Sequence, residues 1–234
     1  MASAVACGAL PGWVSMLAWG LALWCLCGAG PLWSGSHEWK KLILTQHWPP
    51  TVCKEVDGCR DTLDYWTIHG LWPDKAEECN QSWHFNINEI QDLMQDMKIY
   101  WPDVIHPSAN RTRFWKHEWD KHGTCAAQVD ALNSEKKYFG KSLDLYKQID
   151  LNSVLLKFGI KPSINYYQGE SVQTVGQIEL CFTKEDLHLR NCTEPDERLS
   201  FRQDAWLATG SSTHGMMVCE DGPIFYPPPA KTQL

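Results

Sequence analysis

The first 37 residues contain no Asp, Glu, Lys or Arg. An uncharged opening of that length leaves targeting or membrane roles open for it. Trp13 to Cys27 is strongly apolar, and small residues follow at Gly28, Ala29, Gly30 and again at Ser34–Ser36. This reads as a secretory signal peptide over about residues 1–36. No Lys or Arg precedes the apolar run, so a signal anchor is the competing reading. After residue 37 no apolar run approaches the roughly 20 residues of a membrane span, which excludes a second crossing helix there. Internal repeats and low-complexity linkers are also missing. The rest, 37–234, reads as a single domain, and 234 residues suffice for a core.

Positive charge is in short supply as well. Lys and Arg number 21 against 28 Asp and Glu, a formal charge of −7. That excludes a constitutive nucleic-acid binder working by bulk electrostatics. Nine histidines qualify the exclusion. Protonating all of them would carry the charge to about +2, so an acidic compartment removes most repulsion toward a polyanion.

What is abundant is tryptophan and cysteine, at 13 and 10 residues. The tryptophans suit stacking surfaces as well as a core. Cys7, Cys25 and Cys27 lie in the leader, and seven remain: Cys53, Cys59, Cys79, Cys125, Cys181, Cys192 and Cys219. A secreted chain is expected to form disulfides, and an odd count leaves one cysteine free or paired between chains. Three N-x-[ST] sequons, at Asn80, Asn110 and Asn191, agree with glycosylation along that route.

Local patterns predict an α+β chain with helices grouped before much of the sheet. Strands are expected at 40–48, 64–69, 163–167, 177–183 and 216–220. Pro49-Pro50 should break the first, and the second should run into a turn at Gly70 and Pro73. Helices are expected at 88–98, 113–122, 134–149 and 152–158. Gly123 and Gly159 are placed as stops.

Residues 114–125 read FWKHEWDKHGTC. A zinc-protease helix needs histidines four apart, but His117 and His122 are five apart. On a regular helix they would diverge by about 140°. No cysteine pair has finger spacing either, so no metal is expected. Glu118, Lys121 and His122, in contrast, are helix neighbours. One helix end then presents an acid, a fixed cation and a titratable base. Residues 67–74 read TIHGLWPD. There His69 sits close to Trp72 and Asp74, an aromatic face and an acceptor of the kind a nucleobase needs. The plainer alternative is a structural histidine, a core tryptophan and a turn aspartate. A bridge from Cys79 to Cys125 would bring the two stretches together, with His69 facing His122 across a cleft. Two facing histidines suit proton transfer on both sides of one bond near pH 5–7. With RNA as substrate, the 2′-hydroxyl is the nucleophile and no cofactor is required. DNA lacks that hydroxyl and would be inert.

These two stretches resemble the paired active-site motifs of the ribonuclease T2 family, and the resemblance runs from about His37 to the Pro-rich end. It implies an antiparallel sheet packed with helices and stapled by disulfides. It implies an acid endoribonuclease acting on single-stranded RNA through a 2′,3′-cyclic phosphate to 3′-phosphate products, in a secreted or lysosomal setting reached through the endoplasmic reticulum. By motif position, His69 matches the general acid and His122 the general base. Glu118 and Lys121 match the transition-state stabilisers. His117 matches a phosphate contact, and Trp72 and Asp74 match base-holding positions. The implied bridges are Cys53–Cys59, Cys79–Cys125 and Cys181–Cys192. The chain should work as a monomer, with no stable membrane association once the signal is removed.

One departure stands out. Ile164 to Gln168 runs directly into Gly169. Relative to the family, roughly two dozen residues are missing there, the length of one helix and one strand with their loops. The family's fourth bridge goes with them, which leaves Cys219 unpaired. Two further readings therefore stay open: a non-catalytic secreted glycoprotein, and a shortened chain that misfolds and is retained.

Overall fold

The computed structural model describes residues 38–55, 59, 63–106, 111–164, 173–192, 219 and 222–229. The expected signal peptide, Asn110, the junction at 168–169 and most of the expected strands 163–167 and 216–220 lie outside the described residues.

The first described strand, β1, is Lys41–His47. Pro49-Pro50 do end it, and they then open a helix, α1, Pro49–Glu55. Proline suits a first turn because its missing N–H has no partner there anyway. Strand β2, Thr67–Pro73, pairs antiparallel with β1. It runs four residues past the expected end, so His69 and Gly70 are inside a strand and the turn comes at Asp74–Lys75. The β1–β2 register shifts between Thr45 and Gln46.

The helical part begins with a 3-10 segment, Ile87–Leu93, followed by α2, Met94–Tyr100. Asn86 caps the segment through its side chain. A single helix over 88–98 was expected; non-helical backbone at Ile90 splits it instead, while Ile90 and Met97 are buried as the periodicity requires. Helix α3, Arg111–Glu118, continues as one wide π-turn, Trp119–Gly123, and then as α4, Thr124–Ala126. Gly123 is not the expected stop. Its φ of −59° is helical, and the Trp119 ring packs where a side chain would stand. Helix α5, Glu135–Gln148, falls within the expected 134–149, and Ser134 caps its start. Helix α6, Leu151–Lys157, ends before Gly159, whose φ of +74° suits glycine.

Strand β3, Gln173–Thr174, pairs parallel with β6, Ile224–Phe225. Strand β4, Gln177–Thr183, pairs with the other side of β1, and β5, Leu189–Arg190, with β4. The main sheet has the order β2-β1-β4-β5 and is antiparallel throughout.

Much of the tryptophan is core. Trp39, Trp101, Trp115 and Trp119 join Leu42, Leu44 and Leu71 in the main cluster, and Trp48 and Trp66 join Tyr226 in a smaller one. Buried indole N–H groups need acceptors. Backbone carbonyls supply them: Trp39 donates to Cys125 O at 3.0 Å, Trp115 to Trp101 O at 2.8 Å and Trp48 to Pro227 O at 2.9 Å. Disulfides join Cys53–Cys59, Cys79–Cys125 and Cys181–Cys192, while Cys219 is exposed and unbridged.

Candidate active site

Strand β2 and the α3–π-turn helix meet through Trp72. Its Nε1–H donates to Glu118 Oε2 at 2.9 Å. Its ring stacks on His122, centroids 5.1 Å apart, and meets His69 edge-on at 4.8 Å. The two histidines of the separate motifs thus stand around one indole. The Cys79–Cys125 bridge lies alongside, and Glu78 N–H donates to Lys121 O at 2.7 Å, so the loop after β2 is tied to the helix twice.

His69 is held from several sides. Its ring stacks on His47 at 3.9 Å, and its Nδ1 lies 3.1 Å from Gln177 Oε1 on β4. Its carbonyl accepts from Trp101 Nε1 at 2.8 Å. Neither His47 nor Gln177 was recognisable beforehand, because neither belongs to a motif and both arrive through sheet pairing.

Glu118 is 1% exposed. Burial pushes its carboxyl up to about 8, against the smaller pull of the Trp72 N–H and the Lys121 charge. It therefore keeps its proton at acid and neutral pH. His122, 6% exposed, is pushed down to about 2 by burial and by the nearby Lys121, His117 and His69. It is a neutral imidazole at any working pH, and its Nδ1 is buried without a hydrogen-bond partner. His117 is exposed on the same helix and is lowered by desolvation and by Lys121. The Lys121 ammonium sits 3.3 Å from the Glu77 carboxylate.

His122, Trp72, Asp74, Glu77 and Ile43 line a cavity of about 580 Å³. Asp74 is partly taken up by the backbone. Its Oδ1 accepts the backbone N–H groups of Lys40 and Lys41, at 2.7 and 2.9 Å. Gly70 is a further residue that the motif spacing did not single out. A Cβ there would collide with the Trp72 indole and the Glu118 carboxyl, so only glycine permits the Trp72–Glu118 contact. Among the described residues, no group of three or more His, Cys, Asp or Glu side chains is placed to hold a metal ion.

The family model described as the ribonuclease T2 family matches residues 39–175. Ribonuclease T2-A of Mus musculus is 78% identical over 258 aligned positions that cover 100% of both chains. Ribonuclease T2 of Homo sapiens is 60% identical, covering 91% of this chain and 94% of the relative. The crystal structure of human RNase T2 matches with a TM-score of 0.68 at 59% identity, over 82% of this chain and all of that one. A bitter-gourd relative is more distant: ribonuclease MC1 matches at 26% identity with a TM-score of 0.56, over 66% of this chain and 94% of its own. The chain belongs to the ribonuclease T2 family. Its enzyme class is that of an endoribonuclease.

Proposed function

We propose that the chain cleaves single-stranded RNA by transesterification, with two histidines as acid and base. The observation that carries this reading is the meeting of Glu118, His122 and His69 around the Trp72 indole. His122, neutral, takes the proton of the 2′-hydroxyl. The freed oxygen attacks the adjacent phosphorus, and the P–O5′ bond breaks. His69 gives its proton to the departing 5′-oxygen, leaving a 2′,3′-cyclic phosphate. Hydrolysis of that ring gives the 3′-phosphate, with water as nucleophile and the proton transfers reversed.

The electrostatics support these roles. A general base buried beside positive groups resists protonation, so it stays available in acid. A neutral Glu118 carboxyl can approach an anionic phosphate without repulsion and donate to a non-bridging oxygen. Lys121 offsets the charge that develops on the five-coordinate phosphorus. His117 stands on the exposed side of the helix as a phosphate contact. Trp72 and Asp74 border the cavity in which a base is held. All these groups come from the chain itself, so no cofactor enters the steps. DNA has no 2′-hydroxyl and is not cut.

The chain follows the secretory pathway after removal of residues 1–36, through the endoplasmic reticulum lumen to the medium or to a lysosome. Asn80 and Asn191 are exposed in keeping with glycosylation. The protein acts as a monomer without stable membrane association. A second reading has one observation behind it. The mouse alignment spans 258 positions, more than the 234 residues of this chain. This second reading takes the difference as a shortening at 168–169, which would leave Cys219 without its partner. On this second reading the shortened chain would persist as a non-catalytic glycoprotein or be retained as misfolded.

The deciding experiment is cleavage of single-stranded RNA by the purified secreted chain in EDTA at about pH 5. Activity should fall by about 10²-fold or more in His122→Ala. Equal cleavage by the variant would end the two-histidine mechanism. A secreted, folded chain with no cleavage would favour the non-catalytic reading.

A further inference from the structure

A second cavity, of about 390 Å³, lies on the other face of the sheet from His69. Its size is within the range that takes a small organic molecule. Successive side chains of a strand point to opposite faces. His47 stacks on His69 at 3.9 Å, while its neighbour Gln46 lines this second cavity.

Gln46 is the unusual residue. It is 0% exposed, and neither its Nε2 nor its Oε1 has a hydrogen-bond partner. Its backbone is taken up by the sheet, between Ile68 of β2 and Ile178 of β4. What it offers the cavity is therefore the amide. An unpartnered buried amide is costly, and a complementary ligand would remove that cost.

The walls are aromatic. Tyr65, Trp66, Tyr100 and Tyr146 line the same space. Two of the hydroxyls are tied back to the chain: Tyr65 donates to Ile99 O at 3.1 Å and Tyr146 to Trp66 O at 2.6 Å. Their rings, not their hydroxyls, are what a ligand meets. Tyr100 and Tyr146 stand 5.3 Å apart at 42°, a tilted aromatic wall against which a flat ring can be laid, with the Lys147 ammonium 5.3 Å from the Tyr100 ring centroid.

The charges argue against an anion. Lys147 at the rim is already 2.6 Å from Asp96, and Asp150 adds a negative group. Nothing in this lining provides the surplus positive charge that a phosphate needs.

We propose that this cavity binds an uncharged nucleoside, its base against the tyrosines and its edge on the Gln46 amide. A primary amide presents one donor and one acceptor side by side. Adenine and uracil carry the complementary pair on their edges. The proposal stands apart from the catalytic reading, because the cavity shares none of that reading's residues.

The test is titration of the full chain and its variants with adenosine or uridine, with affinity read by calorimetry and, where Gln46 is present, the contact read through its side-chain amide resonances. Their assignment comes from their loss in Gln46→Leu. Both nucleosides should shift these resonances saturably, with Kd on the order of 1 mM or tighter. Gln46→Leu should weaken binding about 10-fold or more, the loss of the paired hydrogen bonds. RNA cleavage should stay unchanged. Tyr100→Ala, at a partly exposed position, should weaken binding as well and guards against a folding defect in the first variant. Adenosine should bind more tightly than 5′-AMP. No shift of the Gln46 amide at ~10 mM of either nucleoside would overturn the proposal. So would full-strength binding in both variants, or a preference for 5′-AMP.

Discussion

A methyl group at residue 70 is the smallest change that tests the site. Gly70 separates His69 from the Leu71-Trp72 pair on β2, and a Cβ there would press on both the Trp72 indole and the Glu118 carboxyl. Their 2.9 Å hydrogen bond would have to open. Misplacement of catalytic groups by about 1 Å costs around 10²-fold in rate. Gly70→Ala should therefore lower kcat/KM on single-stranded RNA by about 10²-fold, measured by steady-state kinetics, with a circular-dichroism spectrum close to that of the parent. A full rate in a folded variant would mean that the Trp72–Glu118 contact is dispensable. At this scale the site was half legible. His69, Glu118, Lys121 and His122 could be picked out because their chemistry and helix spacing are written along the chain. Gly70, His47 and Gln177 could not, since what they do depends on which strands pair. Trp72 was read as a platform for a base. In the fold it also wedges the two imidazoles apart, a role that spacing alone does not encode.

Helices and strands were easier to see than their joints. The core periodicity of α5 and β4 is strong, and both are found within about a residue or two of where it places them. The joints turned on context. Gly123 looked like a stop, yet the Trp119 ring occupies the space a side chain would need, and the helix widens into a π-turn and goes on. Such turns recur at functional sites, and this one carries Lys121 and His122. The bridges set how firmly these elements are tied. Cys79–Cys125 spans 46 residues, Cys181–Cys192 spans 11 and Cys53–Cys59 spans 6. Loop-closure entropy then gives losses of about 4, 3 and 2 kcal/mol when each pair is replaced by alanine. Thermal melts of the three double variants should fall in that order, with the first lower by roughly 10 °C. Only the first should also depress cleavage, because it alone ties the Glu77–Glu78 loop to the catalytic helix. An inverted order of melting points would count against the entropic account.

For the whole molecule the buried titrating groups decide how stability follows pH. Glu118 has a folded value of about 8 against an ordinary 4.5. A raised carboxyl binds its proton more tightly when folded, so stability is lost as pH rises from 4.5 toward 8. Glu135 acts in the same direction: burial carries it to about 7, despite the backbone N–H of Asn86. His122 works from the other side. Its folded value of about 2 lies below the ordinary 6.5, so the unfolded chain takes up the proton first and stability is lost as pH falls below 6.5. Between 4.5 and 6.5 His122, joined near the upper end by the lowered His117, opposes two carboxyls, and over most of that range the carboxyls prevail. Below 4.5 His122 acts without that opposition. The maximum should therefore lie on the acid side, near pH 4.5, with decline toward pH 8. Urea unfolding of the parent across this range measures it directly. Glu118→Gln keeps the shape of the side chain and removes the titration, so it should flatten the alkaline decline while leaving the acid limb in place. Stability that climbs steadily from pH 5 to 8 would mean that Glu118 is ionised in the folded chain. Its carboxyl would then repel the phosphate instead of donating to it.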